Sequence, residues 1–242
     1  MKGQNSMKLK IPIYICIIWI QVCSIPGASG KVINGNRVNA NMLKQAIDNL
    51  SSVLAKADKS DKKYPGALSR LKDLQKQLVL NLKSQEKVDQ LFATIISVDP
   101  ELYYALDTIR DELGNQTDIY VEADQSLFRR TRGVYGITNI DQCSCHPGIY
   151  QSKFGKKTVS VIIDAHFRSL QALVHEFGHV RYQVANLRSY IEFYRDHYSK
   201  DDKEKGHLPH DPSHRAVVDT VEVFRKKWRR RPLIKFESHT AV

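Results

Sequence analysis

The sequence predicts an α+β fold in which a helical N-terminal region precedes a unit of strands and one central helix. Three observations predict it. Apolar residues recur at helical spacing from residue 39 to residue 113. After residue 116 the period shortens to that of a strand, and the β-branched run Thr158 to Ile163 leads straight into an amphipathic segment, Leu170 to Val184. The composition, 242 residues at 42% hydrophobic and 26% charged, suits one or two domains and excludes a collagen, a low-complexity chain and a multispanning membrane protein. These patterns divide the chain into a leader at 1–30, a helical region at 31–115 and an α+β domain at 116–242.

The leader reads as a secretory signal. Lys2, Lys8 and Lys10 supply a positive start, and Ile11 to Ile20 is an apolar run of ten residues, too short to span a bilayer. Pro26 and Gly27 break the run, and Ala28-Ser29-Gly30 offers small residues for cleavage. Lipid anchoring at Cys23 is the rival reading, although Gln21 and Val22 match poorly the small residues usual before a lipidated cysteine. The expected location is secreted, periplasmic or at the cell envelope. Loss of the three leader lysines lowers the net charge from +11 to +8.

In the helical region, Met42, Ala46, Ile47, Leu50, Val53 and Leu54 fall on one face of a helix over 39–57. A charged loop runs from Lys56 to Lys63 and ends at Pro65-Gly66. Leu68 to Leu82 and Val88 to Ile96 make two further stripes. Asp99-Pro100-Glu101 predicts a cap and first turn for a fourth helix reaching about Leu113, ended by Gly114-Asn115. No chemistry stands out here. The region reads first as a scaffold packed on the C-terminal α+β domain, and second as a prodomain, a substrate-contacting lobe or a partner surface. Thr117 to Ala123 alternates as a strand, and 125–156 reads as loop. Within that loop Cys143-Ser144-Cys145-His146 leaves three readings: two thiols, a strained disulfide, or a partial metal site without a second ligand pair.

Eight of the nine histidines lie between His146 and His214, and two of them form His175-Glu176-Phe177-Gly178-His179, an H-E-x-x-H motif. On a helix, residues four apart share a face, so both imidazoles can reach one ion. Imidazole suits zinc, and a catalytic zinc takes three protein ligands and a water. Glu176 stands beside the open position, where a carboxylate can act as general base on that water. Leu170, Leu173, Val174, Phe177 and Val180 supply the apolar face of the helix, with Ser169 as its expected cap. Gly178 weakens a helix by roughly 1 kcal/mol relative to Ala, which points to close approach of another element there.

The motif and its preceding strand resemble the zincin metallopeptidase superfamily. The resemblance implies a zinc-dependent endopeptidase with a twisted sheet, an active-site helix beneath it and a third ligand further along the chain. It covers at most residues 117–230. The extended metzincin motif is absent: Tyr182 and Ala185 stand where its Gly and third His would be. The expected metal ligands are therefore His175, His179 and, as the first candidate for the third, Glu222 on a helix from about Pro212 to Arg230. His207 is the next candidate, with His210 and Glu192 behind it. Val217, Val221, Phe224 and Trp228 form the expected buried stripe of that last helix, with Asp211 as its cap. Tyr182, Tyr190, Tyr194 and Tyr198 read mainly as packing, with oxyanion stabilisation as the alternative.

The run Arg225-Lys226-Lys227-Trp228-Arg229-Arg230-Arg231 suits a solvated helix end or contact with an anionic surface, and it lacks the interleaved aromatics of a nucleic-acid reader. The expected partner is a peptide or protein substrate. The competing expectation is a non-catalytic secreted or envelope-associated binding protein that keeps the zincin shape.

Overall fold

The computed structural model describes residues 31–124, 136–140, 158–166, 168–197 and 211–230. The expected leader at 1–30, the cysteines Cys143 and Cys145, and the loop histidines His207 and His210 lie outside the described residues. Those described form six helices and a four-stranded mixed sheet, an α+β arrangement.

A three-residue strand, β1 (Val32–Asn34), turns at once into α1 (Gly35–Lys56). Asn34 makes the turn. Its side-chain oxygen accepts from Arg37 N at 3.2 Å, and its Nδ2 donates to Gln85 O and Asp89 on the next helix. That helix, α2 (Tyr64–Val98), runs 35 residues with a proline in its first turn. The two stripes expected as separate helices share it, because Asn81 to Lys87 between them holds no Gly or Pro to interrupt the backbone hydrogen bonds. α3 (Pro100–Asp107) starts at the expected cap, Asp99, which accepts from Leu102 N at 3.1 Å. It stops well short of Leu113. Asp111 instead gathers the amides of Leu113 and Asn115, and Gly114 closes that turn at φ +80°.

The sheet comprises β1, β2 (Asp118–Asp124), β3 (Gly136–Ile140) and β4 (Thr158–Asp164), in the spatial order β1-β2-β4-β3. The first two and β4 are parallel, and β3 runs antiparallel to β4 at the edge. β1 is too short to show a period, and β3 falls in the stretch read as loop because Gly136 and Asn139 dilute its β-branched residues. Where β1 ends, the Asn36 side chain takes its place in the ladder: Oδ1 accepts from Ala123 N at 2.8 Å and Nδ2 donates to Ala123 O at 3.3 Å.

Alternation sends Ile119, Val121 and Ala123 of β2, with Val159, Val161 and Ile163 of β4, into one core. Val88, Leu91, Phe92 and Ile95 of α2 fill it, together with Leu173, Val174, Phe177 and Val180 of α4 (Ser169–Ala185). Each such side chain contributes roughly 1.5–3 kcal/mol by leaving water. The helical region and the sheet thus share a core, which supports the scaffold reading of residues 31–115. α4 begins at Ser169 itself, after Arg168 at φ 49°, so Ser169 does not cap it; its buried hydroxyl has no partner among the described residues. Next in the chain is α5 (Leu187–His197), and α6 (Ser213–Arg229) lies along α4. The buried stripe of α6 is Val217, Thr220 and Phe224; Trp228 is 45% exposed and stacks on Phe224.

Truncation of Ile95 to Ala in this shared core is expected to cost about 2–5 kcal/mol in urea unfolding. With Trp19 replaced by Phe, Trp228, the one tryptophan among the described residues, reports on α6, whereas far-ultraviolet dichroism is dominated by α1 and α2. Both probes should give the same midpoint; a separate, earlier transition for either would refute the shared core.

Candidate metal centre

The two motif histidines sit one turn apart on α4, which its apolar face seats against the core. Their rings converge: His175 Nε2 lies 3.3 Å from His179 Nε2. Two imidazole nitrogens at about 2.0–2.1 Å from one tetrahedral zinc stand about 3.3–3.4 Å apart, so the pair fits the ion that the motif implies. His175 is half-buried and His179 is buried.

A polar network unseen in the sequence lies behind His179. Its Nδ1 is 2.7 Å from Ser213 Oγ, and that hydroxyl is 2.6 Å from Asp211 Oδ1. The same Asp211 oxygen accepts from Ser213 N at 2.8 Å, which makes Asp211 the expected cap of α6. Tyr190 OH accepts from Gln183 Nε2 at 2.8 Å and reaches Asp211 Oδ2 at 3.4 Å. Tyr190 thereby packs α5 against the α6 cap, and Tyr182 meets it edge-on at 6.3 Å. The side chains of Tyr194 and Tyr198 are outside the described residues.

The spacing of α4 and α6 lets this network form. A Cβ on Gly178 would stand 2.6 Å from Val217 Cα, so the close approach expected at this glycine is present. Arg181 Nη1 also donates across the contact to Thr220 Oγ1 at 3.3 Å.

Glu176 points to the edge strand. Thr138 Oγ1 donates to its Oε2 at 2.6 Å, and a Cβ on Gly136 would lie 2.6 Å from its Oε1. Only a glycine leaves space for the carboxylate here. The side chain is buried, and loss of water pushes its pKa from 4.5 up to about 7; the Thr138 hydrogen bond opposes the rise. Gly136 and Thr138 fall in a stretch that reads as loop; the alternation Gly-Ile-Thr-Asn-Ile is the signal that marks their strand.

The structure does not bring Glu222 to the histidines. Its side chain is 57% exposed and pairs with Lys226 at 2.6 Å. Helical geometry explains this: with Val217, Thr220 and Phe224 turned to α4, position 222 falls on the far side. Glu192 is likewise exposed and paired with Arg188 at 3.5 Å. Among the described residues no third His, Cys, Asp or Glu joins the pair. In the basic run, Lys227 is tied to Asp99 at 2.6 Å and Glu101 at 2.7 Å, whereas Arg225, Arg229 and Arg230 are exposed.

This geometry sets three expected outcomes. Gly178→Ala gains helix propensity but forces α4 from α6, so urea unfolding should show a net loss of about 1–3 kcal/mol; unchanged stability would contradict the contact. Glu222→Gln should leave zinc stoichiometry unchanged in metal analysis. Glu176 retains its proton in the folded chain up to about pH 7, while the unfolded chain releases it near 4.5. Folded protein therefore holds more protons between those values, and stability falls as pH rises through them, by about 3 kcal/mol in all. Unfolding in chelator at several pH values should show this slope in the wild type and not in Glu176→Gln.

No protein-family model matches the chain, and neither a curated protein nor a solved structure does.

Proposed function

We propose that this chain is an exported zinc-dependent metallopeptidase of zincin-like architecture. The observation that carries the reading is the convergence of two Nε2 atoms 3.3 Å apart on the helix that also presents Glu176. A mixed sheet with its antiparallel strand packed on that helix supports the zincin-like part. The short leader and its small-residue site support export.

His175 and His179 would hold the zinc, which when bound supplies a Lewis acid for water and for the scissile carbonyl. Glu176 takes the proton of the attacking water and returns it to the leaving amine. Burial raises the pKa of Glu176 in the metal-free chain, which favours return of the proton, while the charge of a bound dication would act in the opposite direction. Thr138 anchors Oε2, and the missing side chain at Gly136 makes the space that the carboxylate occupies. β3 is an edge strand among the described residues, so its backbone can receive an extended peptide as an added strand. The exposed Arg225, Arg229 and Arg230 support contact with an anionic surface.

Glu176→Gln keeps the size of the side chain and removes the base. It should retain stoichiometric zinc and lose about 100- to 10,000-fold in cleavage of a mixed peptide library followed by mass spectrometry. Undiminished cleavage sinks the mechanism, and a wild-type chain that takes up no zinc favours the non-catalytic binding protein instead.

A further inference from the structure

The metal-centre reading explains the Nε2 side of His179 and leaves the other side of its ring unexplained. There, four buried polar side chains converge on His179: Gln183, Tyr190 and Ser213 from three helices, and Asp211 two residues ahead of α6. Buried polar groups of this kind are kept only when each finds a partner.

The donor and acceptor inventory of the network assigns its protons. Asp211 Oδ1 is a carboxylate oxygen and accepts both Ser213 N and Ser213 Oγ. A hydroxyl has a single proton, and the 2.6 Å contact commits it to Asp211. Ser213 Oγ can then meet His179 Nδ1, 2.7 Å away, only as an acceptor. Nδ1 therefore carries the ring proton and Nε2 bears the lone pair. That lone pair faces His175 Nε2, which can donate to it before an ion enters. Without such a fixed partner a neutral imidazole exchanges between two tautomers, and only one presents Nε2 to a metal.

We infer that Asp211 and Ser213 are positioning residues for the metal centre: Asp211, acting through the Ser213 hydroxyl, locks His179 in the tautomer with an unprotonated Nε2. The inference rests on the metallopeptidase reading for its purpose, but the tautomer itself is independent of turnover. Ser213 opens α6 and Asp211 lies two residues ahead of it, so the lock engages only where α6 is seated against α4 at Gly178 and Val217. Partners of this kind typically change metal affinity by about 10- to 100-fold.

The test uses the full mature chain labelled with 15N-histidine, metal-free, at a pH where imidazole is neutral. Long-range proton–nitrogen correlation spectra, with His179 assigned by substitution, read which ring nitrogen is protonated. The wild type should show the Nδ1–H form. Ser213→Ala should shift His179 to the Nε2–H form or to exchange between the two. Its affinity for zinc alone, measured by chelator competition, should drop about 10- to 100-fold. Asp211→Asn keeps an oxygen that can accept the Ser213 proton, so it should preserve the tautomer and lose less affinity than Ser213→Ala. A purely structural role would lower stability in urea without moving the tautomer. An Nε2–H wild type overturns the inference, as does a Ser213→Ala variant that keeps both tautomer and affinity. If Ser213→Ala does not fold, the wild-type spectrum and Asp211→Asn decide. A wild type with the Nδ1–H form but no peptidase activity leaves the lock standing and removes the activity; an active wild type with Nε2–H does the reverse.

Discussion

Gly178 and Val217 stand where two helices approach almost backbone to backbone. Nearly everything on the His179 side of the centre depends on that separation. A wider gap would move the α6 cap away from the imidazole, break the 2.7 Å contact to Ser213 and uncover a carboxylate that is now buried. The apolar stripe Val217, Thr220 and Phe224 makes the approach favourable, and the lack of a side chain at 178 makes it sterically allowed. The helix thus gives up intrinsic propensity at one position to gain a tertiary contact that outweighs it.

The other side of α4 obeys a different logic. Glu176 is brought against a strand rather than a helix, and desolvation rather than a neighbouring charge sets its acidity. One hydroxyl and one glycine suffice to orient it. Two residues of one helix, Glu176 and His179, therefore have separate supports, with the edge strand holding the carboxylate while the α6 cap holds the imidazole. Burial gives each support its strength, because a hydrogen bond in a dry setting is difficult to replace with water.

The local parts of this arrangement were legible in the sequence. The H-E-x-x-H spacing, the caps at Asp99 and Asp211, the strands β2 and β4 and the close contact at Gly178 each have a signature within a few residues. What was hidden is relational. Glu222 has the right chemistry for a ligand, but the rotation of α6 about its axis depends on which residues α4 accepts, and Thr220 proved a core residue where Trp228 did not. β3 carries too short a pattern to separate from loop, so its Thr138 and Gly136 could not be connected with a glutamate 38 and 40 residues later in the chain. Likewise, nothing near Ser213 in sequence points to a histidine 34 residues earlier.

The strand that opens the described chain has a kinetic implication. β1 pairs in parallel with β2 across 87 residues, as Val32 meets Ile119, and Asn36 extends that union by gripping Ala123. α1 and α2 can associate soon after they form, since a short turn joins them. Closing the sheet brings together strands separated by the whole helical segment, at the loop-closure entropy such a separation demands. Parallel pairings of high contact order form slowly, so β1 is expected to stay unpaired until late in folding. During that interval the exposed edge of β1 would be the segment most open to association with another chain.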